Sequence, residues 1–279
     1  MSGPLAFGEK GLTETALLAG IGPIHPDIGE QRVQLEDTFV AAGKDLDAAH
    51  LQLNVTTDME HFATVLQSTG KFLPTAFDHR LKPYRDGDTL GLIVRDEDGV
   101  VSTLAIRFYR FNVTTLADHL ATLSLFYANP AEQMVRGERL IIEGEAEIMA
   151  SMVEDHAIYV GGFWIRSDYR GRASNLSYFM PLMVRALGAA RWGRHCSFSL
   201  MKRWITDPKR SDRVGAPNVY DRITWIRPHV REDQDLVLMM TPSKSVFERI
   251  EDYLSGGKRL WVGEKDPNGP DGYTSASGT

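Results

Sequence analysis

Residues Ile158 to Ser199 read IYVGGFWIRSDYRGRASNLSYFMPLMVRALGAARWGRHCSFS, and this stretch decides the fold. Ile158 to Ile165 is β-branched and aromatic around Gly161-Gly162, a strand with a bulge or a point of close backbone approach. A polar turn, Asp168 to Asn175, follows at once. From Leu176 the apolar residues recur as Phe179, Met180, Met183, Val184 and Leu187, the three-and-four spacing of one buried helix stripe. Ser174 or Asn175 is placed to cap that helix, and Pro181 falls inside it, where a kink is expected. Cys196, Phe198 and Leu200 then alternate as a second strand, able to lie parallel to the first because a helix crosses between them.

A strand that turns directly into a helix leaves backbone N–H groups unpaired at a positive dipole end. With Arg170 and Arg172 beside it, such a turn suits a phosphate or pyrophosphate. The run Ile165-Arg166-Ser167-Asp168-Tyr169-Arg170-Gly171-Arg172-Ala173-Ser174-Asn175 resembles the acyl-coenzyme A signature of the GNAT superfamily of N-acyltransferases. Arg170 matches the leading arginine, and Tyr169-Arg170-Gly171 the step before the helix. Ala173 and Asn175 stand where the family has glycine, or glycine or alanine, and Ser167 where it often has proline. The resemblance covers roughly residues 48 to 240. It implies an α/β (α+β) fold, a GNAT-like mixed and mainly antiparallel sheet flanked by helices, binding acetyl-CoA or another acyl-CoA. Phe163 and Ile165 would line the pantetheine along a splayed strand. Arg170, Gly171, Arg172, Ala173, Ser174 and Asn175 would hold the pyrophosphate.

The resemblance also makes Tyr220 the acid on the thiol side, at a helix end or turn before two closing strands, with Thr224-Trp225 in place of the family's Gly-Phe. A general base is to be sought among the acidic residues before the central strand. Glu154 and His156 lie closest to its entry, although carboxylates beside a helix are more often solvated surface. Tyr159, Phe163 and Trp164 read as core or pocket wall. The implied activity is transfer of an acyl group to the amine of a small molecule or protein. The alternative is a GNAT-shaped binding or structural protein without acyl-CoA, which the replaced glycines favour because a Cβ limits close backbone approach.

Outward from this centre, residues 1 to 45 read as an arm punctuated by Gly20, Gly22, Pro23 and Pro26, with a helix over 31–42. Residues 46 to 262 read as the GNAT-like domain. Leu51, Leu53 and Val55 alternate as a strand, and Thr57 or Asp58 caps a helix carrying Met59, Phe62, Val65 and Leu66. Residues 70–88 are loop with a helical turn. A hairpin follows, Leu90 to Val94 and Val100 to Phe111 about an acidic turn. Residues 112–156 form an insertion before the central strand, with a helical stripe over Thr115 to Tyr127; it serves packing, a homodimer contact or acceptor binding. Ser245 to Leu254 is an amphipathic helix, and the Gly-, Pro- and Ser-rich end, 263–279, reads as disordered.

The net charge of -6 argues against a general nucleic-acid or anionic-membrane surface. No window is apolar for the length of a membrane span, and no secretory leader is evident, so a cytoplasmic setting is expected. One cysteine, Cys196, allows no internal disulfide and reads as a buried thiol. The histidines fall into no metal-ligand spacing, and neither a Walker motif nor a nucleophile elbow is present.

Overall fold

A computed structural model describes residues 23–170, 174–203, 217–228, 234–257 and 259–263. In chain order they form α1 (Arg32–Ala48), β1 (Gln52–Thr56), α2 (Met59–Ser68), β2 (Thr89–Asp96) and β3 (Gly99–Asn112). The inserted stretch gives α3 (Leu116–Ala121), α4 (Pro130–Gln133), β4 (Arg139–Ile142) and α5 (Glu145–Ser151). Then come β5 (Asp155–Ile165), α6 (Leu176–Trp192), β6 (Cys196–Lys202), β7 (Asn218–Ile226), β8 (Gln234–Thr241) and α7 (Ser243–Leu254). Among the described residues the strands make one sheet in the order β1-β2-β3-β5-β6-β8-β7-β4. Every neighbouring pair is antiparallel except β5 and β6. This is the mixed, mainly antiparallel sheet that the sequence implied.

Strand alternation sends side chains to two faces, and each face has its own core. Leu104, Ile106, Ile158 and Val160 pack under α1, α6 and α7. Ala105, Tyr109, Ala157, Tyr159 and Phe198 pack under α2, α3 and α5. The hairpin stands as expected, β2 with β3, and Asp58 caps α2 by accepting from the Glu60 and His61 N–H groups. Residues 70–88 carry a single 3₁₀ turn, Thr75–Phe77. The stretch is pinned by Arg107, whose buried guanidinium donates to the carbonyls of Ala76 (2.5 Å), Lys82 (2.9 Å) and Pro83 (2.8 Å).

Three expectations are corrected. The segment read as an arm belongs, from Pro26, to the packed body, because Ile28, Leu35 and Phe39 are wholly buried and α1 reaches Ala48 instead of stopping at Ala42. The helix over Thr115 to Tyr127 ends at Ala121. Leu123 takes a left-handed φ of 58°, and the remaining apolar residues Leu125, Phe126 and Tyr127 reach the core from a turn. Tyr220 lies in strand β7 and not at a helix end. The proposed disordered end beyond Gly263 lies outside the described residues.

The insertion starts beside the central strands, crosses the second face and adds β4 to the far edge of the sheet, with Arg139 opposite Ile226. Buried Glu138 fastens this crossing, accepting from the Tyr127 hydroxyl (3.1 Å) and the Trp225 indole N–H (3.0 Å). Helix α6 spans Leu176 to Trp192 with Pro181 inside it, as the spacing predicts.

Candidate functional site

The parallel neighbours β5 and β6 stay together for three residue pairs, Ala157↔Cys196, Ile158↔Ser197 and Tyr159↔Phe198. Beyond that point each follows its other neighbour: β5 runs along β3 to Ile165, and β6 runs along β8 to Lys202. The strands therefore part toward their C-terminal ends and leave a fork in the middle of the sheet. A bulge accompanies the parting. Thr103 faces Trp164 and Ala105 faces Gly161, so Leu104 alone stands opposite Gly162 and Phe163. Gly162 takes φ +70°, open to glycine at no steric cost. Two wholly buried hydroxyls fix the bulged backbone, Thr103 Oγ1 donating to Gly162 O (3.0 Å) and Ser102 Oγ to Trp164 O (2.7 Å).

The turn beyond the fork is held from below. Arg166 bridges Asp96 and Asp168, and the Tyr169 hydroxyl donates to Asp96 (2.9 Å). Burial works against the Asp96 charge, yet the Arg166 guanidinium and the Tyr169 hydroxyl hold its carboxyl far below the usual carboxylate range. Arg170 is exposed and folds back, its Nε donating to Ile165 O (2.7 Å). Ser174 is buried and donates to Tyr169 O (2.6 Å), which ties the start of α6 to the end of the turn. Gly171, Arg172 and Ala173 lie outside the described residues. An open strand end, an adjacent arginine and a helix N-terminus thus follow one another, on the only parallel pair among the described strands.

Solved structures with a related outline include an uncharacterized Bacillus halodurans protein at 10% identity and TM-score 0.41, over 74% of this chain and 91% of that one. The GNAT domain of S. lividans PAT aligns at 11% identity and TM-score 0.37, over 70% and 92%. Arabidopsis thaliana NAA60 in complex with acetyl-CoA aligns at 11% identity and TM-score 0.37, over 68% and 98%. No protein-family model and no curated protein sequence matches the chain.

In this frame the residues proposed from sequence divide into two groups. Phe163 and Ile165 are half-buried on the open half of β5, the Ile165 carbonyl accepts from Arg170, and Ser174 and Asn175 stand at the start of α6. Asn175 is already engaged by a strap from the C-terminal side: its side chain donates to Arg259 O (2.6 Å) and accepts from the Trp261 N–H (2.9 Å), while Ser174 bridges to Val262. The strap is itself anchored by the Arg259–Asp45 ion pair.

The proposed catalytic residues are not gathered there. Glu154 is exposed in the turn before β5, and His156 bonds Arg194 O through Nε2 (3.0 Å) and leans on the Phe108 ring. Both stand at the closed end of the pair. From His156 to Gly161 the strand covers five steps, roughly 17 Å. Tyr220 lies opposite Leu238, which lies opposite Leu200 of β6, so it is two strands from the fork, roughly 10 Å. Burial, then the Glu145 carboxylate, pushes its phenol up. Cys196, at the closed end, is half-buried, and burial raises its thiol to about 11, so it is a poor nucleophile. Two features escaped the sequence: the Arg107 clamp and the place of Tyr159 at the crotch of the fork. Only for Arg107 is there a signal, an arginine interrupting an apolar strand. Among the described residues no helix is long and apolar enough to cross a membrane.

Proposed function

We propose that this chain is an acyl-CoA-dependent N-acyltransferase acting on an amine. The observation that carries the reading is the fork: two parallel strands that part after three pairs, one of them bulged at glycine and leading straight to Arg170 and the start of α6. Such a gap gives a pantetheine arm a strand edge to bond along, as an added strand would. The pyrophosphate would sit at the helix N-terminus beside Arg170, with Phe163 and Ile165 along the arm and Ser174 and Asn175 setting the shape of the turn. What the cofactor supplies is an acyl group activated as a thioester. The chain's own part is to orient that group, to keep water from it on the aromatic second face, and to admit a free amine.

The competing reading, a GNAT-shaped binding or structural protein without cofactor, draws on the strap. Asn175 spends its amide on Arg259 and Trp261, and Arg170 spends one N–H on Ile165. Calorimetric titration with coenzyme A decides between them. The enzyme reading expects binding to the wild type and a loss of about 1.5–3 kcal/mol on Arg170→Ala, the range for a hydrogen bond to a charged group. No heat of binding at millimolar coenzyme A would favour the competitor. Equal affinity for both proteins would move the pyrophosphate away from Arg170.

A further inference from the structure

Tyr159 is the last residue of β5 that pairs with β6, so its side chain stands at the crotch of the fork. The faces of the sheet decide what it can reach. The start of α6, with Arg170 near it, lies over the face that carries Ile158 and Val160, whereas Tyr159 belongs to the opposite face. An arm that enters from the helix N-terminus and passes between the strands emerges beside Tyr159. The ring also points the right way. A Cβ built on Gly161, two residues further along the strand, would stand 2.8 Å from Tyr159 Cε1 and 3.2 Å from Cζ. The phenol is therefore laid along β5 toward the open end, over the one residue type that leaves room for it.

The hydroxyl is the second observation. Each of the other buried tyrosines has its hydroxyl tied, from Tyr109 on the Leu125 carbonyl (2.7 Å) to Tyr253 on Asp45. Tyr159, only 8% exposed, bonds no group among the described residues. The described side-chain atoms that are both unpartnered and sealed from solvent are His195 Nε2 and Arg227 Nε. Tyr159 Oη thus has no acceptor among the described residues, and a phenol held this way is short of one. Three rings hold it in place, those of Phe77 (5.7 Å between centroids), Phe126 (6.3 Å) and Phe198 (5.4 Å).

We propose that the Tyr159 hydroxyl donates a hydrogen bond to the sulfur of an acyl-CoA threaded through the fork, and holds the thiolate that leaves. This rests on the acyltransferase reading above. In the step, the amine nitrogen bonds to the thioester carbon, the carbon–sulfur bond breaks, and its electron pair stays on sulfur. The proton lost by nitrogen goes to water, the thiolate later takes one from water, and Tyr159 keeps its own. Burial raises its phenol to about 12, so it remains a donor throughout the working pH range. Its contribution is a preorganised dipole aimed at developing charge.

The test uses bound coenzyme A, whose free thiol stands for the leaving group, and needs no acceptor. Calorimetry on the wild type comes first. Ultraviolet difference absorbance of the thiolate then follows its ionisation with pH. In the wild type the thiol of bound coenzyme A is expected to ionise roughly one pH unit below that of free coenzyme A. Tyr159→Phe, which keeps the ring and its three aromatic contacts, is expected to cancel that shift while changing affinity by no more than about twofold. An unshifted thiol in the wild type overturns the assignment without any variant having to fold, and so does an equal shift in Tyr159→Phe. Binding with an unshifted thiol overturns the role of Tyr159 alone; no binding overturns the acyltransferase reading and this inference together.

Discussion

The two halves of β5 differ in almost every physical respect although they are one strand. From Ala157 to Tyr159 it has a neighbour on each side, and each side chain is buried in one of the two cores. From Gly161 to Ile165 it pairs with β3 alone among the described strands, and every residue is half-exposed. A backbone edge left open in mid-sheet is costly unless something bonds to it. The closed half resembles a stability element, and the open half resembles a site that the closed half holds in position. That division ranks the expected effects of substitution.

The largest is in the closed half. Ile158 is wholly buried under α6, so Ile158→Ala should cost about 2–5 kcal/mol in urea denaturation by removing methyl groups and leaving a cavity. Coenzyme A affinity of the folded protein should move by less than about twofold. A large loss of affinity at full folding would mean that the halves are not separable.

Next in size is a dependence on pH that originates at the same end. His195 precedes β6, its Nδ1 lies 2.8 Å from Gly193 O, and its Nε2 has no partner. Burial lowers its pKa from 6.5 to about 4, with the nearby His156 and Arg185 acting the same way. The folded ring stays neutral where the unfolded chain is protonated, so the unfolded state binds more protons between about pH 4 and 6.5. Stability should therefore fall as pH drops through that window, by about 3 kcal/mol in all from this group, and gain nothing from it above the window. Denaturation across pH 4–8 measures the slope, and His195→Gln should flatten it. An unchanged slope in that variant would assign the dependence to another group that takes up its proton in this window, such as His119, whose pKa burial also lowers; Asp96, held far below the usual carboxylate range, loses its contribution only below about pH 4.

Gly161→Ala sits on the border between the halves. The added methyl would meet Tyr159 at 2.8 Å and Phe77 Cε2 at 3.1 Å, too close without movement of a ring. The expected cost is about 1–3 kcal/mol, typical of overpacking, together with weaker coenzyme A binding because the displaced ring intrudes on the fork. A stabilised variant would show that the space over Gly161 is slack.

The closed half was more legible in the sequence than the open one. Alternation and helical spacing are local, so the strand, crossover helix and second strand of 158–199 could be read directly, as could the β2–β3 hairpin. Direction was not legible. Glu154 precedes β5 and His156 lies among its first pairs with β3, but only the register of β6, fixed by Ala157↔Cys196, tells which end closes. Nor was the edge strand β4, since its partner β7 lies far along the chain and Arg139↔Ile226 is a pairing no local pattern encodes. The segment from Pro26 looked like an arm because its prolines and glycines are conspicuous, whereas it is tied to the distant end of α6, the His25 N–H donating to Ala190 O (2.7 Å) and Asp27 accepting from the Arg194 N–H (3.1 Å). Tyr159 passed for core because its ring is core; its hydroxyl's want of a partner is a fact of three dimensions.

The smallest expected effect belongs to Tyr220, the tyrosine that sequence order favoured for catalysis. It lies on the same face as Tyr159, which is what makes the pair informative. Its strand is separated from β6 by β8, and its phenol is half-buried, so removing the hydroxyl leaves no sealed partner behind. Tyr220→Phe should change stability by less than about 0.5 kcal/mol, as a partly exposed substitution without a broken network does. Its backbone lies two strand spacings, roughly 10 Å, from β6, and after burial the Glu145 carboxylate is the main influence on its phenol, so the ionisation of bound coenzyme A should be the same as in the wild type. If Tyr220→Phe instead raised the thiol pKa of bound coenzyme A while Tyr159→Phe did not, the cofactor's reactive end would lie over β8 and β7. The open half of β5 would then be its wall and not its track.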